Sequence, residues 1–90
     1  MKDRPLTSGQ IRAARALLRW SAEDLARAST VGVATIRRAE LVEGETSMNT
    51  PNDKAIRQAF EAAGIVFIAE NGGGAGLRLR KQRSGRASRQ

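Results

Sequence analysis

Residues Ser21 to Glu40 read SAEDLARASTVGVATIRRAE, and this stretch predicts two short helices joined by one tight turn. Ser21 can accept from the free backbone N–H groups of a first helical turn, and Asp24, three residues later, can complete a capping box. A helix is therefore expected over residues 22–28. The second helix is expected to begin after Gly32 and to extend to Glu40. So short a connection predicts helices that cross steeply, which is the layout of a helix-turn-helix.

The segment before this stretch predicts a further helix, from about Ser8 to Arg19. Thr7 and Gln10 form another capping-box pair, and apolar residues recur at helical spacing at Ile11, Ala14, Leu17 and Leu18. Arg15 interrupts the inner side of this helix. Taken alone, it belongs to a solvent-exposed stripe with its helical neighbours Arg12 and Arg19.

The segment after the stretch predicts a polar loop and then a fourth helix. Thr50 is expected to cap this helix, with Pro51 at its first position, Asp53 at its third, and Gly64 at its end. Its apolar stripe is expected to pack on the preceding helices and consists of Ile56, Ala59, Phe60 and Ala63.

The region from residue 65 to residue 80 predicts a β-hairpin. Residues 65–69, IVFIA, and residues 77–80, LRLR, are expected to be strands on either side of the glycine-rich segment 71–76. Four glycines in the turn do not indicate a phosphate-binding loop, because no P-loop lysine and no following helix accompany them.

The two faces of the first strand of this hairpin are both apolar. Ile65, Phe67 and Ala69 point to one face, whereas Val66 and Ile68 point to the other, and a single helix cannot cover both. We therefore expect a second copy to cover the face of Val66 and Ile68, or the two hairpins to pair edge to edge, giving a homodimer. The alternative is a hairpin folded entirely onto its own helices.

The net charge of +7 is concentrated at the end of the chain. Residues 1–77 carry ten basic and nine acidic side chains, whereas the last thirteen residues carry six basic side chains and no acid: Arg78, Arg80, Lys81, Arg83, Arg86 and Arg89. Residues 81–90, KQRSGRASRQ, are expected to form a disordered basic tail. Such a tail can contact phosphates without sequence preference, or can simply increase solubility.

Composition excludes several function classes. The chain has no Cys and no His, which excludes disulfides, thiolate or imidazole metal sites, and Ser-His or Cys-His nucleophiles. No pair of carboxylates has a recognisable catalytic spacing, so an enzyme is not expected, nor is a cofactor or a metal. The start of the chain has no apolar export segment, and no apolar run is long enough to span a membrane. A cytoplasmic, nucleoid-associated protein without a membrane partner is expected.

Within the opening stretch, the residues resemble the XRE family of phage-repressor-like helix-turn-helix regulators. The resemblance covers about residues 6–44, and the positions that match at the family's spacing are Leu25, Ala26, Val31, Thr35, Ile36 and Glu40. The chain differs at three positions. Thr30 occupies the turn position usually held by Gly, Gly32 replaces the usual hydroxyl cap, and Ala22 replaces the usual Gln.

The resemblance implies a fold, a partner and a set of site residues. The fold is mainly α: a four-helix repressor-like helix-turn-helix domain over residues 6–80, including the hairpin at 65–80, followed by the tail at 81–90. The implied ligand is double-stranded DNA, bound as a short palindrome by a homodimer. The implied DNA-binding residues are Ser21, Ala22, Gly32, Val33, Ala34, Thr35, Arg37 and Arg38. The family also implies an ion pair between Arg15 and Glu40.

Two other functions are compatible with these residues. One is an antitoxin, which would bind and neutralise a partner toxin protein through the hairpin face and use DNA binding to regulate its own operon. A protein that binds RNA through its basic tail is the other alternative, but the three aromatic residues, Trp20, Phe60 and Phe67, all occupy expected core positions.

Overall fold

The structure, a computed structural model, describes residues 5–69 and 72–80. Four helices precede a two-stranded antiparallel hairpin in this part of the chain, which confirms the mainly α fold with a C-terminal hairpin. The elements are α1 (Ser8–Leu18), α2 (Ala22–Ser29), α3 (Val33–Leu41), α4 (Thr50–Ala62), β1 (Ile65–Ile68) and β2 (Gly76–Leu79). No helix among the described residues is long and apolar enough to cross a membrane.

The first two helices begin where their capping boxes predict. Thr7 Oγ1 accepts from the Gln10 backbone N–H at 3.0 Å, and Gln10 Oε1 accepts from the Thr7 N–H at 3.0 Å. Ser21 and Asp24 make the equivalent two bonds at the start of α2. The ends differ from prediction by one residue. Helix α1 ends at Leu18, because Arg19 adopts the left-handed conformation, and α2 extends to Ser29.

The cap of α4 was predicted at the wrong residue. Asn49, not Thr50, is the N-cap, and its side chain accepts from the Asn52 N–H at 2.8 Å. Both residue types cap helices, and the Asn side chain is the stronger cap of the two. Asp53 consequently lies beyond the third position. Its Oδ1 instead accepts from the Leu6 N–H at 3.0 Å, which ties the segment before α1 to α4.

The core lies between the four helices and the inner face of the hairpin. Its largest fully buried side chains are Phe60, Leu6, Ile11, Leu25, Ile36, Ile56 and Ile65. The three aromatic rings form one cluster. Trp20 stacks on Phe60 with ring centroids 5.8 Å apart, and Phe67 meets Phe60 edge-on at 6.1 Å. This cluster joins the α1–α2 connection, α4 and β1.

The hairpin packs one face on the helices and leaves the other outside. Ile65 pairs with Leu79, and Phe67 pairs with Leu77, which places these four side chains on one face. Ile65, Phe67 and Leu77 pack against the helices, whereas Leu79 at the edge of this face is 45% exposed. The strand bounds differ from prediction by one residue: β1 ends at Ile68 rather than Ala69, and β2 is Gly76–Leu79 rather than residues 77–80. Gly76 belongs to β2 because it pairs with Ile68. Arg80 lies outside β2, but its N–H still bonds to the Gly64 carbonyl at 2.6 Å.

Candidate nucleic-acid interface

Helix α3 has one buried face and one exposed face. Ile36 and Ala39 are buried in the core. Of the residues that the family resemblance assigns to DNA, Gly32, Ala34, Arg37 and Arg38 are exposed, while Val33 and Thr35 are half-buried. Val33 packs in part against the core, so only a portion of its side chain is available for an apolar contact with a base. The structure therefore places these α3 residues on one accessible surface.

The turn between α2 and α3 is held by side chain to backbone bonds. The Ser29 hydroxyl donates to the Leu25 carbonyl at 2.7 Å and accepts from the Val31 N–H at 3.2 Å. Thr30 adopts the left-handed conformation, with φ 60° and ψ 20°. A β-branched residue is strained in this region, so the turn has the backbone geometry that Gly would adopt at lower cost.

Side chains of the protein itself already bond two of the backbone N–H groups at the start of α2. The Ser21 hydroxyl accepts from the Asp24 N–H, and the Ser21 N–H donates to Asp24 Oδ2 at 2.9 Å. The Ala22 side chain is buried at 8% exposure, so only its backbone can face a ligand. The assignment of Ala22 to DNA therefore reduces to its backbone N–H group. Glu23, whose role no sequence pattern predicts, is exposed in the same turn.

Charges on α2 and α3 balance. Residues 22–41 carry three acidic and three basic side chains, and two pairs form within this segment, while Glu40 pairs with Arg15 of α1. Arg27 pairs with Asp24, and Arg37 Nη2 lies 2.5 Å from Glu23 Oε2. Arg38 contacts only the Thr35 hydroxyl, at 3.4 Å, within the described residues. Arg38 is therefore the cation of α3 whose charge is not already neutralised by a described carboxylate.

Arg15 and Glu40, which the resemblance assigns to a structural ion pair, lie together between α1 and α3. Two guanidinium nitrogens of Arg15 each bond to one carboxylate oxygen of Glu40 at 2.7 Å. Arg15 Nη1 also donates to the Trp20 carbonyl at 2.9 Å. Hydrogen bonds to Glu40 raise the pKa of Arg15 despite its partial burial. Arg12 is exposed, yet it donates to the Glu40 carbonyl at 2.8 Å rather than standing free in solvent.

The residues assigned to the dimer face and the basic tail lie on the outer side of the hairpin or beyond it. Val66 is half-buried and Ile68 is 37% exposed. Arg78 pairs with Val66 in the register, so the two side chains share this outer face. Arg78 and Arg80 are exposed. The other cations of the tail lie outside the described residues: Lys81, Arg83, Arg86 and Arg89.

The described residues can also be searched for a surface that stacks single-stranded bases and for a metal site. Stacking of single-stranded bases needs exposed aromatic rings, but Trp20, Phe60 and Phe67 pack on one another in the core. No group of three or more acidic side chains that could hold a metal ion occurs in residues 5–69 and 72–80.

No protein-family model and no curated protein matches the chain.

The contact between Glu23 and Arg37 was not predicted from the sequence. Glu23 is fourteen residues away along the chain, and only the crossing of α2 and α3 brings it to Arg37. The sequence does show that the first turn of α2 is acidic and that α3, which follows after a short turn, is basic, and this pattern is typical of an ion pair between the two helices.

Proposed function

We propose that this chain is a sequence-specific DNA-binding transcription regulator of the repressor-like helix-turn-helix type. The observation that carries the proposal is the exposed face of α3, where Gly32 and Ala34 leave room at the start of the helix and Arg38 lies on the same exposed surface. A helix with a small, uncharged first turn can approach the floor of a major groove closely. An arginine on such a helix can donate two hydrogen bonds to guanine O6 and N7.

The support of α3 from behind favours the same function. Ile36 and Ala39 are buried, and the bidentate Arg15–Glu40 pair fixes the end of α3 to α1. Base recognition requires side chains placed by a rigid scaffold, since small displacements break bidentate hydrogen bonds. Repressor activity follows most simply from occupancy of a promoter, because the described helices and hairpin contain no separate ligand-binding domain.

The proposed regulator binds as a homodimer to a palindromic duplex. Two copies of α3 would then enter successive major grooves about 34 Å apart. Half-buried Val66 and exposed Ile68 are the proposed dimer contact. Arg78, Arg80 and the tail would supply contacts to phosphate that do not depend on sequence.

Selection from random duplexes with the purified full chain tests this function. A palindrome with half-sites about 10 base pairs apart should be enriched, and its affinity should exceed that of a scrambled duplex by about a thousandfold or more. Recovery of duplexes with no common sequence, bound no more tightly than the scrambled control, would exclude a sequence-specific regulator.

Protein neutralisation, as in an antitoxin, is a second candidate function. The outer face of the hairpin favours it, because exposed Ile68 lies beside a strand that carries exposed Arg78, a combination suited to an acidic partner with apolar residues. Co-expression with the product of an adjacent gene tests this candidate. Rescue of growth by the wild-type chain, lost in an Ile68→Asp variant that still binds DNA, is the expected result.

A further inference from the structure

The first turn of α2 carries two acidic residues with different contacts. Asp24 completes the capping box with Ser21, so it has a local structural role. Glu23 takes no part in that box. Its carboxylate reaches across to α3 and binds the guanidinium of Arg37 at 2.5 Å, with both side chains more than half exposed. Glu23 is therefore an accessible anion on the same surface as the proposed DNA-binding residues.

The Glu23 carboxylate is well stabilised as an anion where it lies. Its own backbone N–H, together with Arg37 and the Ser21 hydroxyl, holds the pKa of Glu23 below its ordinary value. Free N–H groups at a helix start also favour a negative charge there. These are the interactions that a DNA phosphate would make with the same groups.

We propose that the Glu23–Arg37 ion pair limits the affinity of this surface for every DNA duplex, because Glu23 competes with phosphate for Arg37. The inference rests on the proposed function. A phosphate that approaches Arg37 meets a guanidinium whose Nη2 already binds Glu23, and the nearby carboxylate repels the phosphate. Arg38 has no such competitor among the described residues. Sequence preference therefore stays with Arg38, while the Glu23–Arg37 pair sets the general strength of binding.

Removal of the Glu23 charge should strengthen binding in a recognisable way. The E23Q variant should bind the selected palindrome and a scrambled duplex more tightly by the same factor, about five- to tenfold per protomer at low salt. The plot of log affinity against log salt should become steeper by about 0.9 per protomer, the slope of one added phosphate contact. The ratio between the two duplexes should not change.

A matched variant separates this local effect from a change of net charge. Glu61 is exposed on α4, outside α2 and α3, so E61Q makes the same change of charge at a different place. E61Q should leave affinity and salt slope near those of the wild type. A double-mutant cycle with R37Q completes the test, because the gain from E23Q should be much smaller when Arg37 is absent.

The measurements are fluorescence anisotropy titrations of both duplexes with the full chain between about 50 and 200 mM salt. Thermal unfolding of each variant, and a second variant E23A, establish that any change arises in the folded protein. Equal affinities for E23Q and the wild type would overturn the inference, as would a gain that E61Q reproduces or that R37Q leaves undiminished. If the wild type prefers no sequence but E23Q still tightens all duplexes through Arg37, the proposed regulator fails while the role of the ion pair stands.

Discussion

Arg15 and Glu40 form a bidentate ion pair that joins the last turn of α1 to the last turn of α3. Arg15 Nε lies 2.7 Å from Glu40 Oε2, and Arg15 Nη2 lies 2.7 Å from Oε1. The side chains are 23% and 10% exposed, so both charges are largely removed from water. The planar guanidinium fixes the direction of both bonds, which limits rotation of α3 against α1.

Breaking this pair should destabilise the fold strongly. Glu40→Gln leaves the Arg15 guanidinium partly buried without its counter-charge, and we expect the free energy of unfolding to fall by about 3 kcal/mol. Arg15→Met should cost a similar amount. Urea unfolding followed by circular dichroism measures both changes.

Two further variants define the origin of the cost. Arg12→Met, one turn away and exposed, removes one hydrogen bond to the Glu40 carbonyl but leaves the ion pair intact, and it should cost less than about 1 kcal/mol. The double variant R15M/E40M should recover much of the single losses, because no unpaired charge remains. Strictly additive losses in the double variant would mean that the pair is not the source of the effect.

The contacts of these helices show which structural features could be predicted from the sequence. The capping boxes at Thr7 and Ser21 depend on residues three apart, so they were predicted with both partners correct. The α4 cap was predicted one residue late, because Asn49 and Thr50 are adjacent residues of capping type and spacing does not choose between them.

Contacts between distant segments could not be predicted from local residue spacing. The Arg15–Glu40 pair was expected only through the family resemblance, since no local rule joins residues 25 positions apart. The Glu23–Arg37 pair and the bond from Leu6 to Asp53 were missed. Both depend on how helices cross, and the residue pattern predicts which face of a helix is buried without fixing the crossing angle.

The left-handed conformation of Thr30 should be a source of instability. Thr30→Gly is expected to raise the free energy of unfolding by about 0.5 to 1 kcal/mol, because Gly adopts φ 60° without a clash of its Cβ. Arg19, at φ 58°, offers a second test of the same kind at the end of α1.

The contrasting variant is Gly64→Ala. Gly64 has φ +107°, a conformation in which a Cβ is strained, so this change should destabilise the protein even though the added Cβ would make only an ordinary contact, at 3.5 Å, with Leu79 Cδ1. Thermal unfolding of the three variants measures the trend. A loss of stability in both Thr30→Gly and Arg19→Gly would show that side-chain contacts, rather than backbone strain, dominate at these positions.

The buried hydroxyl of Thr46 has no hydrogen-bond partner in the described structure. Its residue is only 8% exposed, so the hydroxyl has lost its contact with water without a replacement. Thr46→Val keeps the shape and removes the polar group, and it should stabilise the fold by about 1 kcal/mol. Thr35→Val, at a half-buried position on α3, is the comparison. Chemical denaturation measures both, and a loss of stability in Thr46→Val would indicate that the hydroxyl binds an ordered water.

The outer face of the hairpin should carry the homodimer contact. The double variant V66S/I68S is expected to weaken dimerisation about tenfold or more, because it removes the apolar surface that a second copy would cover. Leu17→Ser changes an apolar residue of similar exposure on α1 and should leave dimerisation unchanged. Sedimentation equilibrium measures the association constant of each variant.

The association constant of this dimer should increase with salt concentration. Arg78 shares the outer face with Val66, so dimerisation brings two like charges together and should become stronger as salt screens them. DNA binding should change in the opposite direction. A wild-type chain that remains monomeric at high micromolar concentration and high salt would rule out a dimer through this face.

Arg38 should determine sequence preference, whereas the basic tail should affect all sequences alike. Arg38→Ala is expected to cost about 1 to 3 kcal/mol at a single base position in each half-site, since two hydrogen bonds to one guanine are lost.

Removal of residues 81–90, with the cations Lys81, Arg83, Arg86 and Arg89, should weaken the palindrome and a scrambled duplex by the same factor and flatten the salt dependence. Competition with duplexes that carry every single-base change measures the two effects separately. If Arg38→Ala weakened all duplexes equally, Arg38 would contact phosphate rather than a base, and the sequence preference would have to come from the uncharged first turn of α3.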